Sequence, residues 1–268
     1  MAMATIIYYF TGTGNSLAVA KAVAERVPET SLVGIPRCMF AGEKVHVPKD
    51  ANVGIVYPLY CGGLPNIVVR FFGLLDLSQA GYVFSIVTEG GKMGSPTKQI
   101  GRLCEASGHA LNAAWWVQMP DNYIPLSAPP EKSVQKTLRE DAVRKVSLAA
   151  EAVNHRTDRM VSMSIPGKIM TAAAYGMFMR RIPEFDRKFT INPVCNGCMT
   201  CVEVCPVNNI RALEKGKKEW LHHCEGCLAC LQFCPVEAIS CGGKTENRPR
   251  YHHANATARD MMEQKGLR

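Results

Sequence analysis

Cys195-Asn196-Gly197-Cys198-Met199-Thr200-Cys201-Val202-Glu203-Val204-Cys205-Pro206 returns 29 residues later as Cys224-Glu225-Gly226-Cys227-Leu228-Ala229-Cys230-Leu231-Gln232-Phe233-Cys234-Pro235. Both stretches read C-x2-C-x2-C-x3-C-P. The likeness continues past the cysteines, because Cys205-Pro-Val-Asn-Asn-Ile210 mirrors Cys234-Pro-Val-Glu-Ala-Ile239. This is the bacterial iron–sulfur spacing, in which three close thiolates wrap one cube and the fourth, before proline, reaches toward a second. A structural zinc needs four ligands in all, and eight cysteines in two identical runs exceed that. A disulfide framework would call for an oxidising compartment, and no signal peptide is read at the N-terminus.

Upstream, Thr5-Ile6-Ile7-Tyr8-Tyr9-Phe10 is a β-branched and aromatic run of strand length, of the kind buried on both faces of a parallel sheet. It ends in Thr11-Gly12-Thr13-Gly14-Asn15-Ser16, and Leu17 to Ala24 then reads as helix. A strand, a glycine and hydroxyl loop and a helix N-terminus form a phosphate cradle. A Walker loop would need a lysine that is missing, and the dinucleotide fingerprint a third glycine where Leu17 stands. The hydroxyl-rich T-G-T-G-N-S resembles the FMN-phosphate loop of flavodoxins, usually [ST]-x-T-G-x-[TS].

Strand-like runs follow at 31–35, 52–56, 82–87 and 113–117, with helical stretches near 65–75, 95–107 and 131–154. Five strands alternating with helices predict an α/β domain built on a doubly wound parallel sheet. The flavodoxin resemblance implies the order 2-1-3-4-5, with the ligand beyond the carboxyl ends of strands one, three and four. Glycine-rich loops fall at those ends: Tyr57-Pro58-Leu59-Tyr60-Cys61-Gly62-Gly63-Leu64-Pro65 and Thr88-Glu89-Gly90-Gly91-Lys92-Met93-Gly94. By resemblance they hold the flavin ring, with Tyr57 and Tyr60 as stacking candidates. Glu89 stands where an aromatic residue often follows the threonine.

The cysteine segment in turn resembles a bacterial two-cluster ferredoxin, a small α+β domain. That resemblance implies that Cys195, Cys198, Cys201 and Cys234 hold one 4Fe–4S cluster, and Cys224, Cys227, Cys230 and Cys205 the other. The whole chain thus resembles the flavodoxin–ferredoxin fusion proteins common in anaerobic bacteria and archaea. It divides into a flavodoxin-like FMN domain (1–158), a helical linker (159–188), a ferredoxin domain (189–242) and a basic tail (243–268). The implied function is electron transfer between FMN, two 4Fe–4S clusters and an external redox protein. The alternative is a flavin-dependent oxidoreductase acting on a small organic acceptor such as a quinone or porphyrinogen. No catalytic constellation of the Ser–His–Asp or Cys–His kind is read, which favours the carrier.

Composition fits this reading. In 268 residues, 47 % hydrophobic and 20 % charged, there is ample core and no run of about 18 apolar residues, so a cytoplasmic protein without a membrane span is expected. A formal charge of +8 would ordinarily suggest nucleic acid. Eight thiolates and a flavin phosphate offset it, leaving the loaded protein near neutrality once the positive cluster cores are counted; no nucleic-acid partner is expected. The segment Met119-Pro120-Asp121-Asn122-Tyr123-Ile124-Pro125 lies near the ligand edge and reads as a lid over the flavin, a contact with the ferredoxin domain or, equally, a plain connection between strand and helix. In the last helix of the sheet domain, Val134, Leu138, Val146, Leu148 and Ala149 are expected inward. Pro166-Gly167 and the apolar run from Ile169 to Met179 suggest a helix wedged between the domains, or a peripheral membrane contact through 167–181. Cys38, Cys61, Cys104 and Cys241 read as small buried hydrophobes. His222-His223 and His252-His253 look incidental.

Overall fold

The structure is a computed structural model that describes residues 3–91, 96–160 and 174–267. Eight strands are found among the described residues up to 160: β1 (Thr5–Tyr9), β2 (Thr30–Gly34), β3 (Val45–His46), β4 (Asn52–Pro58), β5 (Leu75–Asp76), β6 (Tyr82–Glu89), β7 (Ala113–Gln118) and β8 (Arg159–Met160), the last inside the stretch expected as a helical linker. Six form one sheet in the order β2-β1-β4-β6-β7-β8, and every pairing in it is parallel. Without β8, this is the flavodoxin-like order expected from the sequence. The sixth strand corrects the expected five. It pairs through two residues, Ala113↔Arg159 and Ala114↔Met160, and both of its side chains are exposed. An edge strand that short has no apolar pattern to reveal it.

The sheet is wound on both faces. Alternation along β1 sends Ile7 and Tyr9 to one face, where α1 (Asn15–Ala24) and α5 (Lys132–Asn154) pack. Tyr8 and Phe10 go to the other, covered by α2 (Ile35–Ala41), α3 (Asn66–Phe71) and α4 (Pro96–Ala106). The inward stripe of α5 is Ala142, Val146, Ala149, Ala150 and Val153, spaced as one helix face. Val134 and Leu148, expected inward, are exposed; the small alanines, rather than the large aliphatics, set the helix phase against α1. Cys38, Cys104 and Cys241 are buried as expected, and Cys61 is half-buried.

In the second half of the linker, a helix at 174–181 (α6) leads into a 3₁₀ turn, Ile182–Lys188. The compact C-terminal module is closed by β9 (Phe189–Ile191) pairing antiparallel with β12 (Ile239–Cys241). Between them lie α7 (Thr200–Glu203), the hairpin of β10 (Ile210–Ala212) and β11 (Lys218–Trp220), and α8 (Ala229–Gln232). The sequence repeat is also a repeat of backbone. Met199 and Leu228 both stand at positive φ (62° and 61°) ahead of α7 and α8, and Asn208 and Glu237 do so after each Cys-Pro step. A last helix, α9 (Ala258–Glu263), opens with a capping box between Thr257 and Asp260. Lys92, Met93 and Gly94 of the second ring loop, and residues 161–173 of the linker, lie outside the described residues.

Candidate functional site

The eight repeat cysteines surround two hollows. One is lined by Cys195, Cys198, Cys201 and Cys234, the other by Cys205, Cys224, Cys227 and Cys230. Each set takes three thiols from one run and one from the other, the crossed arrangement that the ferredoxin resemblance implied. The peptide N–H groups of Asn209 and Ala238 donate to the sulfurs of Cys205 and Cys234, both at 3.2 Å. Gly226 N–H donates to Cys224 Sγ at 3.2 Å. Lys218 Nζ stands 3.2 Å from Cys195 Sγ. Together with the Gly197 N–H, which has the larger effect, it holds that thiol below its ordinary pKa.

Burial acts the other way on the deeper thiols. It pushes Cys201 up to about 11 and Cys224 to about 12, and drives Cys227 and Cys230 well above the ordinary value. His222, which looked incidental, is tied by Nδ1 and by its own N–H to the buried Asp186 carboxylate, at 2.7 and 3.0 Å. Asn209 Nδ2 donates to the same carboxylate at 2.7 Å. The network pins the chain between Cys205 and Cys224.

At the carboxyl end of β1, Thr11, Gly12, Thr13, Gly14, Asn15 and Ser16 are all buried. Gly14 stands at φ 92° as the N-cap of α1 and supplies no side-chain cap. Thr11 Oγ1 accepts from Gly14 N–H at 2.9 Å, and Ser16 Oγ lies 2.8 Å from Thr88 Oγ1. Asn122 Nδ2 donates to Thr13 Oγ1 at 2.5 Å. The N–H groups of Asn15, Ser16 and Leu17, the first turn of α1, find no acceptor among the described residues. A buried helix start with open donors is a place for an anion.

The two stacking candidates of the first ring loop are placed differently, and Tyr57 is not on the loop. Because β4 runs on to Pro58, Tyr57 is still a strand residue facing the α2–α4 core, and it is 1 % exposed. Tyr60 is half-buried in a tight turn that exchanges backbone bonds with Gly63, with Cys61 at φ 46° and Gly62 at 84°. Pro58 and Leu59 are half-buried, and Leu59 N–H donates to Thr88 C=O at 2.8 Å, joining the two ring loops. Thr88 and Glu89 are buried at the end of β6, while Gly90 and Gly91 are exposed. From α6, Tyr175 packs on Gly63 and donates to Leu64 C=O at 2.9 Å.

Segment 119–124 is held from every side. Pro120 C=O accepts from Asn15 Nδ2, Asn122 C=O from Gln232 Nε2, and Ile124 C=O from Arg248. The basic tail covers the T-G-T-G-N-S loop. Gln264 pairs its side-chain amide with both backbone groups of Thr11 (3.3 and 3.1 Å). His253 N–H donates to Thr13 C=O at 2.8 Å, and Tyr251 OH to Asn15 Oδ1 at 2.7 Å.

His253 is buried beside the loop and takes the Asn255 N–H on Nδ1, as a neutral ring does. Burial, then the nearby Arg139 and His252, bring its pKa down to about 4. Below about 6.5 the unfolded chain takes up a proton that the folded chain refuses. The stability from the neutral ring is therefore present above that pH and lost as pH falls toward 4. Between pH 7 and 5 the folded state should lose about 2 kcal/mol at this residue. Urea unfolding at the two pH values measures the loss, and His253→Asn should remove most of the difference from the parent.

The 4Fe-4S dicluster domain family matches residues 194–238. This chain carries a 4Fe–4S dicluster domain. The matched segment lies within the module bounded by β9 and β12 and contains both sets of cysteines. No curated protein matches the sequence. Among solved structures, a Bacteroides uniformis flavoprotein shares 16 % identity, with 44 % of this chain and 92 % of that one covered at a TM-score of 0.34. Two-electron reduced Megasphaera elsdenii flavodoxin shares 21 %, covering 52 % and 98 % at 0.33. Desulfovibrio gigas rubredoxin oxygen:oxidoreductase shares 16 %, covering 56 % and 36 % at 0.32. The flavodoxin-like strand order ahead of the dicluster domain rests on the sheet itself.

Proposed function

We propose that the chain is an electron-transfer protein that passes electrons between FMN, two 4Fe–4S clusters and an external redox protein. The observation that carries this is the contact between the two cofactor regions. A Cβ on Gly12 of the phosphate loop would stand 2.3 Å from the carbonyl oxygen of Cys227 in the dicluster domain. Bound FMN takes up electrons in pairs and releases them singly, while each cluster passes one at a time.

The residues suit those groups. The open N–H donors at the start of α1 and the hydroxyls of Thr11, Thr13 and Ser16 offer a terminal phosphate charge-assisted hydrogen bonds. Tyr60 remains the aromatic candidate at the ring, with Cys61, Gly62 and Gly63 in its turn and Thr88, Glu89, Gly90 and Gly91 opposite. Among the described residues no three possible ligands close on a single point as they would round one metal ion. Thiols set around a hollow suit the corners of a cube instead. A positive metal core would hold the deeply buried thiols among them as thiolates, their protons leaving to solvent as the site is loaded.

Segment 119–124, tied to Asn15 on the sheet side and to Gln232 on the cysteine side, favours a carrier over an oxidoreductase for a small organic acceptor. Anaerobically reconstituted chain should contain about eight iron and about eight sulfide, with one FMN. Stoichiometric zinc without broad iron–sulfur absorbance would overturn the cluster reading. Thr13→Ala and Ser16→Ala should each weaken FMN by about 1–2 kcal/mol, the scale of a charge-assisted hydrogen bond. Fluorescence titration reads this, with riboflavin as control. A parent that binds riboflavin as tightly as FMN would remove the phosphate argument.

A further inference from the structure

The two cysteine sets stand differently toward the sheet. Cys227 belongs to the second run and packs against both sheet cores, the one under α1 and α5 and the one under α2–α4. None of Cys195, Cys198, Cys201 and Cys234 packs against either core, and Cys198 is exposed. Cys227 also meets both parts of the flavin site. Its backbone lies on Gly12 of the phosphate loop. Tyr60 of the ring loop sits edge-on to Phe10, at 6.3 Å between ring centres, and has Cys227 and Cys224 as electrostatic neighbours.

The second run is also fastened there. The buried Glu225 accepts from Ile67 N–H at the start of α3 (3.0 Å) and pairs with Arg70 at 2.6 Å. Gly226, at φ 64°, lies against Ile182, where a Cβ would stand 2.7 Å from its Cδ1.

We infer that the cluster ligated by Cys224, Cys227, Cys230 and Cys205 is the immediate electron partner of the flavin, and that the cluster of Cys195, Cys198, Cys201 and Cys234 stands one step further away. This rests on the FMN reading above. In each step one electron leaves the reduced flavin as the second-run cluster gains it. The same electron then passes to the first-run cluster and on to a one-electron acceptor protein. No bond is made or broken at the cysteines.

The test uses the phosphorus nucleus of FMN, which the loop holds beside Gly12. A reduced, paramagnetic cluster broadens the phosphorus-31 resonance of a nearby phosphate far more than that of a distant one. In FMN-loaded, dithionite-reduced full-length chain the line should be several-fold broader than in the oxidised chain. Cys198→Ala, which removes the first-run cluster at its exposed corner, should leave that broadening in place, and Cys230→Ala should abolish it. Narrowing in Cys198→Ala overturns the order, and that arm decides even if Cys230→Ala fails to fold. A reduced parent that retains FMN with a line as narrow as the oxidised one also overturns it while the FMN reading stands. A parent that retains no FMN on gel filtration overturns both.

Discussion

A chain ending at residue 242 will lose more stability than any single substitution considered for this protein. Tyr251, Ala256 and Met261 are buried, and the last two belong to the core shared by α1 and α5. A large apolar side chain such as Met261 contributes about 1.5–3 kcal/mol by burial. The truncation also bares Gly14 and Gly34, which lack a Cβ because Ala256 and Gln264 occupy the space. Thr11 loses the partners of its N–H and its C=O, at about 1–3 kcal/mol for each buried group left unpaired. Together these approach the whole stability of an ordinary domain, about 5–15 kcal/mol. The expected result is a shallow, low-midpoint urea transition in place of a cooperative one. Gln264→Ala isolates one part and should cost about 2–4 kcal/mol, since it removes both Thr11 hydrogen bonds and leaves a small cavity. A truncated chain with the parental midpoint would show the tail to be dispensable.

Cys205→Ala should strip the cluster site built by the other run. Cys205 lines the hollow with Cys224, Cys227 and Cys230, although 19 or more residues separate it from them in sequence. Iron and sulfide should fall to about half of the parent's, from about eight to about four. The residual cluster should show the signal of the Cys195, Cys198, Cys201 and Cys234 site alone. The companion Cys234→Ala should spare the site that Cys205→Ala destroys. If Cys205→Ala instead removed the cluster of its own run, the ligand crossing would be wrong.

Much of this was legible in the sequence because the decisive signals are local. Each cysteine run, and the T-G-T-G-N-S loop after a β-branched run, occupies about a dozen residues. What escaped depends on partners elsewhere. Tyr57 and Tyr60 look alike in a string of letters; only the length of β4 decides that one faces the core and the other the turn. Val134 and Leu148 look more apolar than the alanines that set the phase of α5. Gln264, His253 and Tyr251 are polar residues in a basic tail. Gln264 is tied to the backbone of Thr11, and Tyr251 to the side chain of Asn15, each more than 230 positions away. No periodicity encodes such a pairing.

The Thr11–Gln264 bond spans 253 positions of a chain made from its N-terminus. The loop after β1 thus waits for residues made some 250 positions later before it has all its neighbours. The separation costs little at equilibrium, since closure entropy grows only with the logarithm of loop length. It is costly in time, because contacts of such long range come late in folding. A nascent chain therefore passes through an interval in which the helix start is formed but still uncovered. Stalling translation short of residue 250 would hold it there.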